Sequence, residues 1–320
     1  MQLTAATDLT TVNTTSCITH TTNPTPACID YLSFTLPDDT NLKTFLSDTF
    51  RLSWDTLEKA SKGYNGYYER YHHGNLTVLT NGGAKGMGHN ITLTGKACNR
   101  LKDHLPRIID EVYKANGHFT RCDIAIDDYH GLLDLGTIQS SIADGLVVSR
   151  CKYLREYNER GKDGRFTGRG AYFGGRKSQL FIRIYDKALQ QGEDYHWVRV
   201  ELELKKGKAN EAMKLARGGD LGVMAKAILK DSLSFRIKGE QMNRSRWPVA
   251  PWWDTFLEGV ERLKLAAPKD EDIASQERRL KWFMRHARTL AEIVDVCGPS
   301  ILQTMYNRGK SIQAARPTVH

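Results

Sequence analysis

The stretch from Tyr172 to Lys206 contains two runs in which apolar and polar residues alternate. The apolar positions are Leu180, Ile182 and Ile184 in the first run and Val198, Val200, Leu202 and Leu204 in the second. The positions between them include Arg183, Tyr185, Arg199, Glu201 and Glu203. Because successive side chains of a strand point to opposite faces, each run predicts a strand with one aliphatic and one charged face. The charged face is a candidate site.

A third run has the same design. From Arg121 to Asp128, the apolar residues Cys122, Ile124 and Ile126 alternate with a set that includes Arg121, Asp123 and Asp127. If the three strands share a sheet, four carboxylates converge with Tyr185: Asp123, Asp127, Glu201 and Glu203. Such a cluster requires neutralisation by a cation or by arginines. Oxygen ligands of this kind suit Mg²⁺ or Mn²⁺, so we expect one of these ions as the cofactor.

The motifs of this chain together resemble one protein family. They are IDYLSFTL near the start, HNITLTGKACNRL, RCDIAIDD, YFGGRKSQLFIRIYDK and VRVELELK. This set resembles the Rep_trans replication initiators, relaxases that start rolling-circle replication of plasmids and filamentous phages. The resemblance covers roughly residues 29 to 206. The tail, which begins with PWWDTFLEGVERL, is most similar to the initiators of filamentous phages.

The resemblance implies a reaction and assigns residues to it. In that family a strand tyrosine attacks DNA and nearby acids hold the metal, which matches Tyr185 and either Asp123 or Asp127, with Glu201 and Glu203. The implied protein recognises a replication origin and nicks one strand, which leaves a 5′-phosphotyrosine link and a free 3′-hydroxyl. Arg183 and Arg199 either offset charge on the phosphoryl oxygens or pair with the acids. The expected partners are origin DNA and a host helicase and polymerase, and homodimerisation is left open.

The charge of the chain is consistent with a nucleic-acid partner. Lys and Arg number 46 against 37 acids, for a net charge of +9 and a pI near 9.2. The segment from residue 150 to 176 is strongly basic and predicts a hairpin beside the tyrosine strand that contacts the DNA backbone. The alternative is a solvated loop. The candidate DNA-binding residues of this region are Arg160, Lys162, Arg165, Arg169, Arg176 and Lys177.

The alternation of strand and helix patterns predicts an α+β or mixed α/β sheet domain with one helical face. The resemblance implies a central, mainly antiparallel sheet with helices on one face, followed by a smaller helical C-terminal region. We expect a flexible arm at residues 1–27, a catalytic domain at 28–240, helices at 241–310 and a tail at 311–320. Among the expected elements are helices at 41–62 and 97–115 and a hairpin that turns at Gly74 and Asn75. The two prolines between Trp247 and Trp253 suggest the boundary near 240–250.

Cysteine usage and hydropathy exclude several classes of protein. The six cysteines are scattered and form no C-x-x-C pair, which argues against a zinc ribbon or a redox motif. There is no signal-peptide pattern at the start and no apolar run long enough to cross a bilayer. We therefore expect a cytoplasmic protein with no membrane partner.

Two other functions are compatible with the same residues. A hydrolytic nuclease would use Asp127 with the Glu203-x-Lys205 pair to bind a metal ion and activate water, without a covalent intermediate. A non-enzymatic DNA-binding regulator would pair its acids with its own arginines. The first would cut DNA without Tyr185, and the second would bind DNA without nicking it.

Overall fold

The computed structural model describes residues 27–217, 219–258, 265, 284 and 287–314. The predicted arm, apart from residue 27, and the end of the predicted tail, residues 315–320, lie outside this description. In the described residues, ten antiparallel strands form one sheet in the order β2-β3-β4-β5-β1-β6-β11-β10-β9-β8, and β7 and β12 form a separate pair. The strands are β1 Ala27–Leu36, β2 Glu58–Lys59, β3 Tyr67–His73, β4 Leu76–Gly82, β5 His89–Thr94, β6 His118–Asp128, β7 Val147–Ser149, β8 Leu154–Arg160, β9 Phe166–Phe173, β10 Leu180–Asp186, β11 Val198–Lys205 and β12 Leu233–Phe235.

The aliphatic face of the sheet forms the core with the helices. The helices that precede residue 267 are α1 Leu42–Phe50, α2 Gly95–Arg100, α3 Leu105–Lys114, α4 Leu135–Ala143, α5 Lys187–Gln191, α6 Gly207–Ala216, α7 Leu221–Ser232 and α8 Pro251–Phe256. Ile108 and Val112 of α3 and Ala209 of α6 are fully buried in the same core as Ile124 and Val200 of the sheet. The α+β prediction, with a mainly antiparallel sheet and helices, is confirmed. Burial of the aliphatic face leaves the charged face for chemistry.

Two of the predicted helices are interrupted. The helix expected at 97–115 is split into α2 and α3 by a 3₁₀ turn at Lys102–His104. Pro106 explains the break, because proline has no N–H to donate inside a helix but is well accommodated in the first turn of a new one. The helix expected at 41–62 ends at Phe50. Arg51 follows it in the left-handed region with φ 56° and donates its N–H back to the last turn, which terminates the helix.

The hairpin predicted at Gly74 and Asn75 is present, with β3 and β4 on either side and Gly74 at φ 56°. The predicted domain boundary near 240–250 falls within the first compact unit of the structure, which extends to Ala267. Trp253 and Phe256 are buried in the core of this unit. Both residues therefore belong to the sheet domain.

The second unit comprises residues 268 to 320. Its described part is helical, with helices at Ala287–Cys297 and Ser300–Ala314 that are separated by Gly298 at φ 78°. Much of the helix predicted at 273–290 lies outside the described residues. Throughout the described part of the chain, no helix combines the length and the apolar character that a membrane crossing requires.

Candidate active site

Three rows of side chains cross the charged face of the sheet. The predicted strands β6, β11 and β10 are adjacent, and their register aligns residues that are distant in sequence. The first row is Tyr157, Gly170, Tyr185, Arg199 and Asp127; the second is Arg155, Tyr172, Arg183, Glu201 and Ala125; the third is Phe181, Glu203, Asp123 and Tyr31. Side chains that face each other across such a ladder are about 5 Å apart at Cβ. The register therefore brings the predicted tyrosine, arginines and acids together.

Tyr185 lies in the middle of this face. Its hydroxyl donates a hydrogen bond to Oε2 of Glu201 over 3.1 Å. Burial and the neighbouring charge of Glu201 raise the pKa of the Tyr185 phenol well above its ordinary value. The phenol is therefore neutral at physiological pH, and it needs a base to become a nucleophile.

Glu201 accepts the hydrogen bond from the Tyr185 hydroxyl. Its side chain is only 4% exposed and also accepts a hydrogen bond from Arg183. Burial raises the pKa of Glu201 to about 7, although the charge of Arg183 acts in the opposite direction. A carboxylate with a pKa near the working pH is suited to proton transfer.

The acids around Glu201 are balanced by arginines. Arg121 donates to both oxygens of Asp123, over 2.8 and 2.5 Å, and to Glu203 over 3.0 Å. A nitrogen of Arg183 lies 3.5 Å from both Asp123 and Glu203. Asp123 is 2% exposed, and burial raises its pKa. Two guanidinium groups of the chain itself, those of Arg121 and Arg183, therefore neutralise most of the negative charge of these acids.

Asp127 and Arg199 form a separate pair. Arg199 donates to both oxygens of Asp127 over 2.7 and 2.8 Å, and the Trp197 indole N–H donates to the same carboxylate over 2.7 Å. Arg199 is 7% exposed and also lies 3.4 Å from Asp30. Both predicted residues are therefore held in a buried ion pair beside Tyr185.

Asp30 and Lys187 were not anticipated from the sequence. Both line the same cavity of about 310 Å³ as Tyr185, Arg183 and Glu201. Asp30 lies at an irregularity in the pairing of β1 with β6. Lys187 is two residues beyond Tyr185, with its ammonium 5.9 Å from the centre of the Tyr185 ring, and burial lowers its pKa. The cavity thus offers cationic and anionic groups around the phenol.

A glycine gives the neighbouring strand close access to Tyr185. Gly170 faces Tyr185 across the β9–β10 ladder. A Cβ atom at Gly170 would lie 2.6 Å from the Ile184 carbonyl oxygen and 2.8 Å from the Tyr185 Cβ. Because such distances are sterically forbidden, the packing around the tyrosine requires a residue without a side chain here.

The carboxylates provide oxygen donors suited to a hard divalent ion. Asp123, Glu201 and Glu203 are all buried on adjacent strands, and their donor chemistry fits Mg²⁺ or Mn²⁺. In the described part of the chain, however, no three His, Cys, Asp or Glu side chains are arranged as a metal-binding group. Arg121 and Arg183 balance the charge of these acids, so an ion would have to replace some of their contacts.

The predicted DNA-binding residues occupy three places. Arg160, Lys162 and Arg165 lie at the tip of the hairpin of β8 and β9, in which β9 pairs with the tyrosine strand β10 and β8 is the edge of the sheet. Arg169 donates to Gln139 of α4 and is therefore directed towards the helical side. Arg176 and Lys177 lie in the loop between β9 and β10, next to the charged face.

Known proteins share both the sequence pattern and the fold. A family model described as "Replication initiation factor" matches residues 117–301, and one described as "Rolling Circle replication initiation protein N-terminal domain" matches residues 26–114. The chain is 26% identical over 278 residues to a Bacillus subtilis (strain 168) protein named "Putative DNA relaxase NicK", a match that spans 80% of this chain and 77% of the relative. A solved structure of a rolling-circle replication initiator protein from Geobacillus stearothermophilus is similar with a TM-score of 0.66 and 26% identity, over 76% of this chain and 99% of that one.

Proposed function

This chain belongs to the replication initiation factor family, and we propose that it nicks one strand of origin DNA with Tyr185 as the nucleophile. The family supports DNA nicking for the initiation of rolling-circle replication. The observation that carries the assignment of the nucleophile is the hydrogen bond from the Tyr185 hydroxyl to Glu201 over 3.1 Å, inside a cavity that also contains Arg183.

The proposed step is a transesterification. The Tyr185 oxygen attacks the scissile phosphorus while its proton passes to Glu201. A bond forms between phosphorus and the tyrosine oxygen, and the bond from phosphorus to the 3′-oxygen breaks. The 3′-oxygen takes up a proton from water and leaves as a hydroxyl, and the 5′-phosphate remains on the tyrosine. Because one phosphodiester replaces another, the reverse reaction can rejoin DNA.

Two arginines support this reaction in different ways. Arg183 is on the same strand as Tyr185 and lines the cavity, so it can stabilise negative charge on the non-bridging oxygens. Arg199 is held by Asp127 and Asp30, and we assign it to positioning the strand residues around Tyr185. This pairing supports the second of the two roles predicted for Arg199, in which it pairs with acids and does not offset charge on the phosphoryl oxygens.

We propose that Asp123, Glu201 and Glu203 hold a Mg²⁺ or Mn²⁺ ion when the protein acts on DNA. A bound divalent ion would polarise the phosphate and stabilise charge on the departing oxygen. Asp127 is the weaker candidate for a ligand, because its partner Arg199 is buried, whereas Arg121 and Arg183, the partners of the other acids, are 31% and 27% exposed and have room to move away. Glu201 remains within reach of Tyr185 as the proton acceptor.

Origin DNA is the partner that the family implies. We propose that the β8–β9 hairpin contacts its backbone through Arg160, Lys162 and Arg165, and that Arg176 and Lys177 contact the strand nearer to Tyr185. A host helicase and polymerase remain predicted partners because the reaction leaves a free 3′-hydroxyl. A homodimer and the likeness of the tail to initiators of filamentous phages also stay predictions.

A denaturing gel assay tests the proposal. Wild-type protein, Tyr185→Phe and Tyr157→Phe are incubated with labelled supercoiled and single-stranded DNA from the same replicon, with Mg²⁺ or Mn²⁺. We expect a protein-linked DNA band from wild type and Tyr157→Phe, and none from Tyr185→Phe. Free cut products from all three proteins would instead support a hydrolytic nuclease. Intact DNA that is shifted only in native gels would support a DNA-binding regulator.

A further inference from the structure

A second cavity opens on the charged face, beside the one that contains Tyr185. Its volume is about 280 Å³. Five cationic side chains line it, those of Arg121, Arg155, Arg176, Arg183 and Lys205, and Glu203 is its carboxylate. Asp123, Glu201 and Glu203 balance the charges of Arg121, Arg183 and Lys205. Arg155 and Arg176 therefore leave an excess of positive charge, which attracts an anion.

Some of the cationic side chains of this cavity already form ion pairs with acids of the chain, and others do not. Arg121, Arg183 and Lys205 each pair with Glu203. Among the described residues, the side chains of Arg155 and Arg176 have no ion-pair partner. The Nε–H group of Arg183 is buried and has no hydrogen-bond acceptor in this structure. Guanidinium N–H groups without a partner are suited to bind phosphate, because its oxygens accept several hydrogen bonds.

Aromatic rings form another part of the wall. Tyr172 and Phe181 line the cavity with their ring centres 5.9 Å apart at an interplanar angle of 62°. Tyr172 is half-buried and stacks on Tyr157 at 5.9 Å and 14°. A flat, partly exposed ring beside free arginines is the combination that binds an unpaired base and its phosphate.

The two cavities are adjacent, because Tyr172 and Arg183 line both of them. Arg183 is two residues from Tyr185 on β10, a rise of about 7 Å. Consecutive phosphates of one strand are spaced by about 3.4 Å along a duplex axis, and an unpaired strand can extend further per nucleotide. A strand with its scissile phosphate at Tyr185 therefore reaches the second cavity within one or two nucleotides.

We propose that this second cavity binds the nucleotide next to the nick, with its base on Tyr172 and its phosphate on Arg155 and Arg176. The proposal rests on the proposed nicking function, since it assigns the cavity to the same DNA strand. It requires an unpaired base, because a base within a duplex cannot stack on a side chain. The cavity would therefore select single-stranded DNA at the cleavage site.

The test uses single-stranded oligonucleotides that tile the origin of the replicon. An oligonucleotide that forms an adduct with wild type is remade with one abasic site at each position around the nick. Binding is measured by fluorescence anisotropy in a Tyr185→Phe background, so that the DNA remains intact. Tyr172→Ala, Tyr172→Phe and Arg155→Ala are compared with Arg217→Ala, which removes an arginine that pairs with Asp110 on the helical side.

We expect one abasic position, within two nucleotides of the nick, to weaken binding about tenfold. Tyr172→Ala should weaken binding of the intact strand to a similar extent and should remove the sensitivity to that position, whereas Tyr172→Phe should retain both. Arg155→Ala should weaken binding several-fold more than Arg217→Ala. If Tyr172→Ala shows the same loss of binding at each abasic position as the protein with Tyr172, the proposal is overturned, even when wild type forms the adduct.

The absence of an adduct with every tiled oligonucleotide would instead contradict the proposed function. The affinity for the oligonucleotide (dT)12 then tests, independently of nicking, whether the cavity binds single-stranded DNA. Weaker binding by Arg155→Ala than by Arg217→Ala would support the cavity as a site for single-stranded DNA, and equal binding by these two variants would overturn it.

Discussion

The Tyr185 hydroxyl and the Glu201 carboxylate are joined diagonally across two neighbouring strands, with 3.1 Å between their oxygens. Tyr185 directly faces Arg199 in the β10–β11 ladder, and Glu201 directly faces Arg183. The hydrogen bond therefore forms between rows, within reach of long side chains. This arrangement places an arginine beside each partner, which allows a buried acid to stay near the phenol.

Glu201→Gln is expected to slow adduct formation by about 10²- to 10⁴-fold, because a glutamine cannot accept the phenolic proton. DNA binding should change little, since Arg183 keeps its contacts with Asp123 and Glu203. Single-turnover rates of adduct formation measure the effect, and Glu156→Gln on the exposed part of β8 is the matched control. A wild-type rate for Glu201→Gln would remove Glu201 as the base.

The stability of the metal-free protein should depend on pH through Glu201. Its pKa is raised from 4.5 to about 7 in the folded protein, so the folded state binds a proton more tightly than the unfolded state between these values. The contribution of Glu201 to the free energy of unfolding is therefore largest below pH 4.5. It falls as the pH rises through 7, by at most roughly 3 kcal/mol. Urea unfolding in EDTA should show this loss in wild type, and Glu201→Gln should lack it. Parallel pH profiles of the two proteins would contradict the prediction.

Gly170→Ala should reduce nicking without removing the nucleophile. The added Cβ would lie 2.6 Å from the Ile184 carbonyl oxygen and 2.8 Å from the Tyr185 Cβ, so β9 and β10 must separate. We expect a destabilisation of about 1–3 kcal/mol, as for other overpacked sites. Adduct formation should fall more steeply than the folded fraction that circular dichroism reports. Wild-type stability and rate together would show that the strands adapt without cost.

The charged face could be predicted because strand alternation fixes which side chains share a face, and the three strands proved to be neighbours. Asp30 shows the limit of that reasoning. By alternation it belongs with Leu32 and Phe34, which are buried in the core. The pairing irregularity between Ile29 and Tyr31 breaks this phase, so Asp30 contributes to the Tyr185 cavity instead.

The ion-pair partner of each charged residue also could not be predicted from the sequence. The pairing of Arg199 with Asp127 depends on the register of β11 against β6, which aligns these two residues across 72 positions of sequence. Alternation predicts faces but does not determine register between distant strands. The same limit explains why the cavity beside Arg155 was not anticipated, since it depends on how β8 pairs with β9.

Asp127→Asn should destabilise the protein by about 3 kcal/mol, because it leaves the buried guanidinium of Arg199 without its full counter-charge. Asp110→Asn is the control, since Asp110 pairs with Arg217 at an exposed position where an ion pair contributes at most about 1 kcal/mol. Denaturant unfolding measures both variants. Equal, small effects would mean that Asp127 is not the main partner of Arg199.

The metal proposal predicts different outcomes for the two aspartates. Asp123→Asn should weaken Mn²⁺ binding at least tenfold, because it removes an oxygen donor from the group that includes Glu201 and Glu203. Asp127→Asn should bind Mn²⁺ with wild-type affinity per folded molecule, because Asp127 pairs with the buried Arg199, which is less free to move away than the partly exposed Arg121 beside Asp123. Electron paramagnetic resonance of free Mn²⁺ gives the affinity without any need for nicking. If Asp127→Asn loses the ion while Asp123→Asn retains it, the ion must bind on the side of Arg199, and Arg121 and Arg183 alone neutralise the acids around Glu201.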